Sequence, residues 1–146
     1  MNLKNLLILF LIADLALSSC ESNEEIDSSS SAQMMTGSDA ELAIIMRQIH
    51  EDSKRLKKQI SNSQTLGNVA PEYLREILSA GTTDTNVKVP LFDAFAETYI
   101  YYIEAIYSDT LGIQKELFNN AINTCVQCHG EFCPGPIKTI QKLEIQ

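Results

Sequence analysis

The chain has 146 residues, 45% of them hydrophobic, with 19 acidic against 11 basic side chains and a net charge of -8. That is enough chain for one ordinary domain with its own core, and the acidic balance, with no basic stripe anywhere, argues against nucleic acid as a partner. Four cysteines in so short a chain make the compartment the next question.

Lys4 is followed by an apolar run from Leu6 to Ala13 and then by Leu17-Ser18-Ser19-Cys20. A positive start, a short apolar core and small residues before a cleavage point read as a secretory signal over residues 1–19. The run is too short to stay in a bilayer as an anchor. Leu-Ser-Ser-Cys resembles a bacterial lipobox, which implies that Cys20 is lipidated and becomes the first mature residue. The alternative is an ordinary signal peptide cut near Ser19. Residues 20–38 hold Glu21, Glu24, Glu25, Asp27 and the serines 28–31, the composition of a flexible acidic tether reaching about 25 Å. Its acids form either a solvated spacer or an export tag like that of some surface lipoproteins. By analogy with enteric lipoproteins, Glu21 after the lipidated cysteine points away from inner-membrane retention. The expected location is therefore the outer membrane facing the periplasm, or the cell surface.

Residues 39–146 are expected to form a single all-α domain with a net charge of -4. The first helix should start at Ser38 and Asp39, with Glu41 three residues after Ser38 as in a capping box. Leu42, Ile45, Met46, Ile49, Leu56 and Ile60 make its inner stripe, and Arg47, Glu51, Lys54, Arg55 and Lys58 its opposite face, ending before Gly67. Pro71 opens a shorter second helix with Tyr73, Leu74, Ile77 and Leu78 inside, closed by Gly81. Residues 81–90 are a loop in which residues 87–89 can be extended. The third helix should run from about residue 91 to 107, with Leu91, Phe92, Phe95, Tyr99, Tyr102, Ile103 and Ile106 inside. That aromatic face suits plain core or the wall of a large flat cofactor.

The fourth helix should start after Asp109 or Thr110 and include Leu111, Leu117, Phe118, Ala121, Ile122, Cys125 and His129, until Gly130 and Cys133-Pro134-Gly135-Pro136 break it. Ile137, Ile140 and Leu143 then fold back as a last turn. Four helices with short connections predict an antiparallel four-helix bundle.

The fourth helix carries Cys125-Val126-Gln127-Cys128-His129. Two thiols three apart with a histidine directly after the second are the attachment signature of a c-type haem. Each thiol would form a thioether with a vinyl group, and His129 would give the iron its proximal nitrogen. On a helix Cys125 lies one turn from both Cys128 and His129, so one face presents all three. Two other readings stay open: zinc held by Cys125, Cys128, His129 and Cys133, although four ligands within nine residues are crowded, and a redox dithiol or disulfide, although no strand precedes the motif. With Cys20 lipidated and two thiols on haem, Cys133 is left over, and burial beside the cofactor is its expected fate. Export and haem attachment agree, because bacteria form these thioethers outside the cytoplasm.

An all-helical domain with this motif on its last helix resembles the cytochrome c-prime family and its low-spin, methionine-ligated relatives. The resemblance covers about residues 39–140, and its one specific motif is the haem box. Phe132 matches the aromatic residue that the family places three after the histidine. Cys133 departs from the basic residue usually found next, and Lys138 is the substitute that could meet a haem propionate. The resemblance implies one covalent haem c, a distal residue on the first helix, and often a homodimer through the first two helices. Met46 stands at about the right place for the sixth ligand, His50 one turn later is its rival, and an open iron is the third option. Methionine ligation would give an electron carrier between redox protein partners, not an enzyme, and no catalytic acid, base or nucleophile group appears elsewhere. An open iron would give a protein that binds small gases such as NO or CO.

Overall fold

Helix α1 (Glu41–Ser61) opens the computed structural model, which describes residues 40–146. The expected signal peptide, Cys20, the tether with Met34 and Met35, and the Ser38 and Asp39 cap lie outside the described residues. A 3₁₀ helix (Glu72–Leu78) and a 3₁₀ turn (Thr85–Val87) follow. Then come α2 (Pro90–Ser108), α3 (Gln114–Phe132) and the short α4 (Ile137–Gln141). The described residues are helical with no strand among them, which makes the domain all-α.

Ala40 is the N-cap residue of α1 and no side chain caps the helix. Glu41 accepts the Gly81 N–H at 2.9 Å, while Leu42 N–H donates to the Gly81 carbonyl at 3.0 Å. This pair ties the start of α1 to the loop after the 3₁₀ helix. It satisfies a backbone donor of the helix and one of the loop together. α1 ends at Ser61, well short of Gly67. Its buried stripe is Ile45, Ile49, Ser53 and Leu56, with Leu42, Met46 and Ile60 half-buried.

The expected second α-helix is a seven-residue 3₁₀ helix. Its anchors, Leu74 and Ile77, are three apart, a spacing that 3₁₀ geometry places one above the other, and both are buried. Tyr73 donates from its hydroxyl to Asp52 Oδ2 at 2.7 Å and pins the segment to α1. Lys88 closes its far end, donating from Nζ to the Ile77 and Leu78 carbonyls at 2.7 and 3.2 Å, with its ammonium 4.6 Å from the centre of the Phe92 ring. Val87 sits in the 3₁₀ turn, and only Val89 of the 87–89 run is extended.

α2 begins with Pro90 at its first turn, where a missing N–H costs nothing. It buries Phe92, Ala96, Tyr99, Ile100, Ile103 and Ile106, while Leu91, expected inside, is exposed. α3 starts at Gln114, later than expected. Leu111 belongs to the preceding turn, where Asp109 accepts its N–H at 2.9 Å, and its side chain is 81% exposed. α2 and α3 form the most extensive helix pairing, centred on Ile106, Phe118 and Ala121, none of which retains exposed surface. α4 packs back on α3 with Ile140, Leu143 and Ile145 buried, the expected return of the tail.

The Tyr73 hydroxyl is held above its ordinary pKa by burial and then by its hydrogen bond to Asp52, and burial also raises Tyr99 and Tyr107. A proton held more tightly in the folded state stabilises it fully below the unfolded tyrosine pKa, about 10, and that stability declines as pH rises through the higher folded value. Urea unfolding from pH 8 to 11 should therefore show an alkaline fall in stability. Tyr73→Phe should cost about 1 kcal/mol at pH 8 and make the alkaline fall shallower.

Candidate functional site

The cysteine and histidine motif occupies the last two turns of α3. The helix passes through Gly130, the expected breaker, and ends at Cys133, whose φ of -157° and ψ of 76° leave the helical region. Pro134 explains the stop, since a proline ring disfavours helix at the residue before it. Cys133 is exposed, not buried. The correction has a physical reason: residue 133 contributes its backbone. Its N–H donates to the His129 carbonyl at 3.0 Å, and its own carbonyl lies 2.9 Å from His129 Nδ1. A carbonyl can only accept, so Nδ1 carries a proton, and in the neutral ring Nε2 keeps its lone pair. A backbone carbonyl on the far ring nitrogen is also how metal-binding histidines are commonly oriented.

Three adjoining cavities lie between α1 and the C-terminal half of α3. Two are large, about 410 and 430 Å³, and a small one of about 40 Å³ adjoins both walls. Met46 and His129 are the two residues that line all three. Cys128 lines the first large cavity and the small one, and Cys125 the small one and the second large cavity. The walls are mostly apolar. Leu42, Val87, Phe92 and Phe132 line the first, with the Phe92 and Phe132 rings edge to face at 6.0 Å, and Ile49, Ile122, Ile140 and Leu143 line the second.

α1 thus has two working faces. Ile45, Ile49 and Leu56 pack into the core. Ala43, Met46, Arg47 and His50, spaced at 3, 4 and 7 residues along one stripe, line the large cavities. Met46 belongs to this second stripe as much as to the inner one, which accounts for its being half-buried. His50 lines only the second large cavity. Arg47, assigned from its charge to the solvent face, is exposed yet lines both. Lys138 is exposed and lines none of the three.

Sequence reasoning missed five contributors. Ser53 interrupts an apolar stripe but is buried, with its side chain at the Tyr99 hydroxyl. Thr124 is buried beside Cys125, its hydroxyl turned back to the Asn120 carbonyl at 2.9 Å. Thr82, Thr83 and Asp84 form a polar wall of the first cavity. Only Ser53 left a trace in the periodicity, as a polar residue in phase with Ile45, Ile49 and Leu56.

The electrostatics bear on the alternatives. Burial pushes the Cys125 thiol up to about 12, with Cys128 beside it adding to the shift, and burial pushes Cys128 up to about 11. Reactive dithiols are depressed, not raised, and the two sulfurs are not bonded to each other. Among the described residues no three His, Cys, Asp or Glu side chains converge where a metal could be held, so the zinc reading of Cys125, Cys128, His129 and Cys133 has no geometric support. A slot with neutral sulfurs on one wall, an imidazole with its lone pair free, a thioether opposite and apolar walls has the donor set that a covalently held haem requires. No helix among the described residues is long and apolar enough to cross a membrane. In comparisons with known proteins, no family model, curated protein or solved structure matches the chain.

Because residue 133 acts through its backbone, Cys133→Ala should change unfolding free energy by less than about 0.5 kcal/mol. Cys133→Pro, which removes the N–H given to His129, should cost about 1–3 kcal/mol. Thermal unfolding of both variants checks this.

Proposed function

We propose that the chain is an exported, lipid-anchored monohaem c-type cytochrome of the c-prime type that carries single electrons between redox proteins. The observation that carries the reading is the shared lining of the three cavities by Met46 and His129, with both motif thiols on the same walls. In this reading the domain is an antiparallel four-helix bundle in which the Glu72–Leu78 segment takes the place of the second helix. The sequence up to Cys20 supports lipid anchoring, with the outer membrane facing the periplasm as the first location to test.

Cys125 and Cys128 would hold the cofactor as thioethers, each S–H adding across a vinyl group, sulfur to one carbon and hydrogen to the other, so that no atom is lost. Raised thiol pKa values suit this product, because a thioether is neutral and belongs in a dry slot. His129 supplies the proximal nitrogen and is kept in the right tautomer by the Cys133 carbonyl. Met46 would supply a sulfur to the iron, and a thioether ligand raises the reduction potential relative to a second histidine. When bound, a haem would supply one-electron chemistry between ferric and ferrous iron, which is what a carrier between redox proteins needs. Phe92, Phe132 and Leu143 keep water from the slot, and α1, held by both its ends, keeps Met46 at a fixed place.

Two measurements test this. Expressed with a c-type maturation system, the protein should show a covalent haem band on a denaturing gel, and Cys125→Ser with Cys128→Ser should lose it; no band in the parent protein would sink the reading. The ferric protein should show a methionine-to-iron charge-transfer band and the ferrous protein no shift with carbon monoxide. Met46→Ala should turn this into a high-spin spectrum with rapid carbon monoxide binding, while His50→Ala leaves it unchanged. A high-spin, carbon monoxide-binding parent protein would make it a gas binder, and a response to His50→Ala alone would make His50 the ligand.

A further inference from the structure

We propose that Tyr73 and Asp52 form a redox-active pair, in which Tyr73 gives one electron to a strong one-electron oxidant as its phenolic proton passes to Asp52. The tyrosine hydroxyl donates to Asp52 Oδ2 at 2.7 Å in a partly buried place. At that distance a positioned base can take a proton. Arg55 forms an ion pair with the other oxygen, Oδ1, so the carboxylate is held with Oδ2 turned to the phenol. The step balances. The O–H bond of Tyr73 breaks, an O–H bond forms on Asp52 and one electron leaves for the oxidant. The products are a neutral phenoxyl radical, a carboxylic acid and the reduced oxidant.

Burial makes the electron and the proton leave together. The Tyr73 hydroxyl is held above its ordinary pKa by burial and then by Asp52, so the phenol keeps its proton at neutral pH. Losing the electron alone would leave a cation in a partly desolvated place, which is costly. The carboxylate removes that cost. Ser53, the next residue of α1, is buried with its side chain at the hydroxyl of Tyr99, and a neutral serine is no base. Tyr99 is itself buried and lines the small cavity with Cys125 and His129, within electrostatic reach of Tyr73 and Asp52. Consecutive residues of α1 thus serve two phenols: Ser53 the one that borders the slot, Asp52 the one that can release its proton.

The test is flash-quench oxidation of the full chain by a photogenerated ruthenium(III) polypyridyl complex, followed by freeze-trapping and electron paramagnetic resonance. The parent should give a neutral tyrosyl signal that narrows when its tyrosines are ring-deuterated. Tyr73→Phe should lose most of it, whereas Tyr101→Phe, at an exposed ring, should keep it. Asp52→Asn retains an acceptor for the hydroxyl but no base, and should form the radical at least about tenfold more slowly. If circular dichroism shows that Asp52→Asn has lost its helices, Tyr73→Phe, which keeps the ring, decides alone. A parent with no tyrosyl signal overturns the proposal, as does a parent-like signal in Tyr73→Phe or a parent-like rate in a folded Asp52→Asn. The oxidant is added from outside, so a chain without covalent haem fails the function above and leaves this outcome readable.

Discussion

Everything near the motif hangs on the contact between α2 and α3 at Ile106, Phe118 and Ala121. These side chains retain no exposed surface, and each large apolar side chain so buried contributes about 1.5–3 kcal/mol. The contact fixes the N-terminal half of α3 and, because a helix is stiff, the direction in which its C-terminal half projects. The motif is carried on that half, where Cys125 and Cys128 pack against the core and Phe132 meets Phe92 of α2 edge to face. α1 faces it with Met46 across the cavities and buries Ile45, Ile49 and Leu56.

What remains between α1 and the end of α3 is a slot whose chemistry differs by region. Its body is apolar, its sulfurs are neutral, and its charged groups, Arg47, Asp84 and Glu51, belong to the walls of the large cavities. Such a division suits a flat molecule that is apolar over most of its area and ionised at one edge. It suits a thiol-based redox exchange poorly, since half-buried cysteines with raised pKa values make weak nucleophiles.

The all-helical class was legible from periodicity, and so were α2, within a residue or two, and the return of Ile140 and Leu143 to the core. The motif itself was legible because its spacing is local. Other features were not, each for a reason outside local pattern. Glu41 serves Gly81, forty residues away, so no nearby box could reveal it. The second helix is too short for the difference between 3.0 and 3.6 residues per turn to show in its apolar residues. Cys133 looked buried by residue type, whereas Pro134 and the needs of the helix end decide its backbone and leave its side chain outside. Arg47 looked like a solvent residue because a charge on an amphipathic helix normally is one. It lines a cavity only because the neighbouring helix stays away.

α1 is moored at both of its ends. Glu41 and Leu42 hold its start to Gly81. Near its end Lys57 donates to the Lys142 and Glu144 carbonyls at 2.9 and 2.8 Å. The tail it grips is sewn in turn to α3, where Asn119 takes the Ile145 N–H and donates to its carbonyl, both at 2.9 Å. The helix is therefore a beam supported at its ends over an open span. The width of that span is a dimension of the scaffold, set by backbone anchors, and substitutions among the residues that face the gap can alter what it holds while leaving how far apart its sides stand.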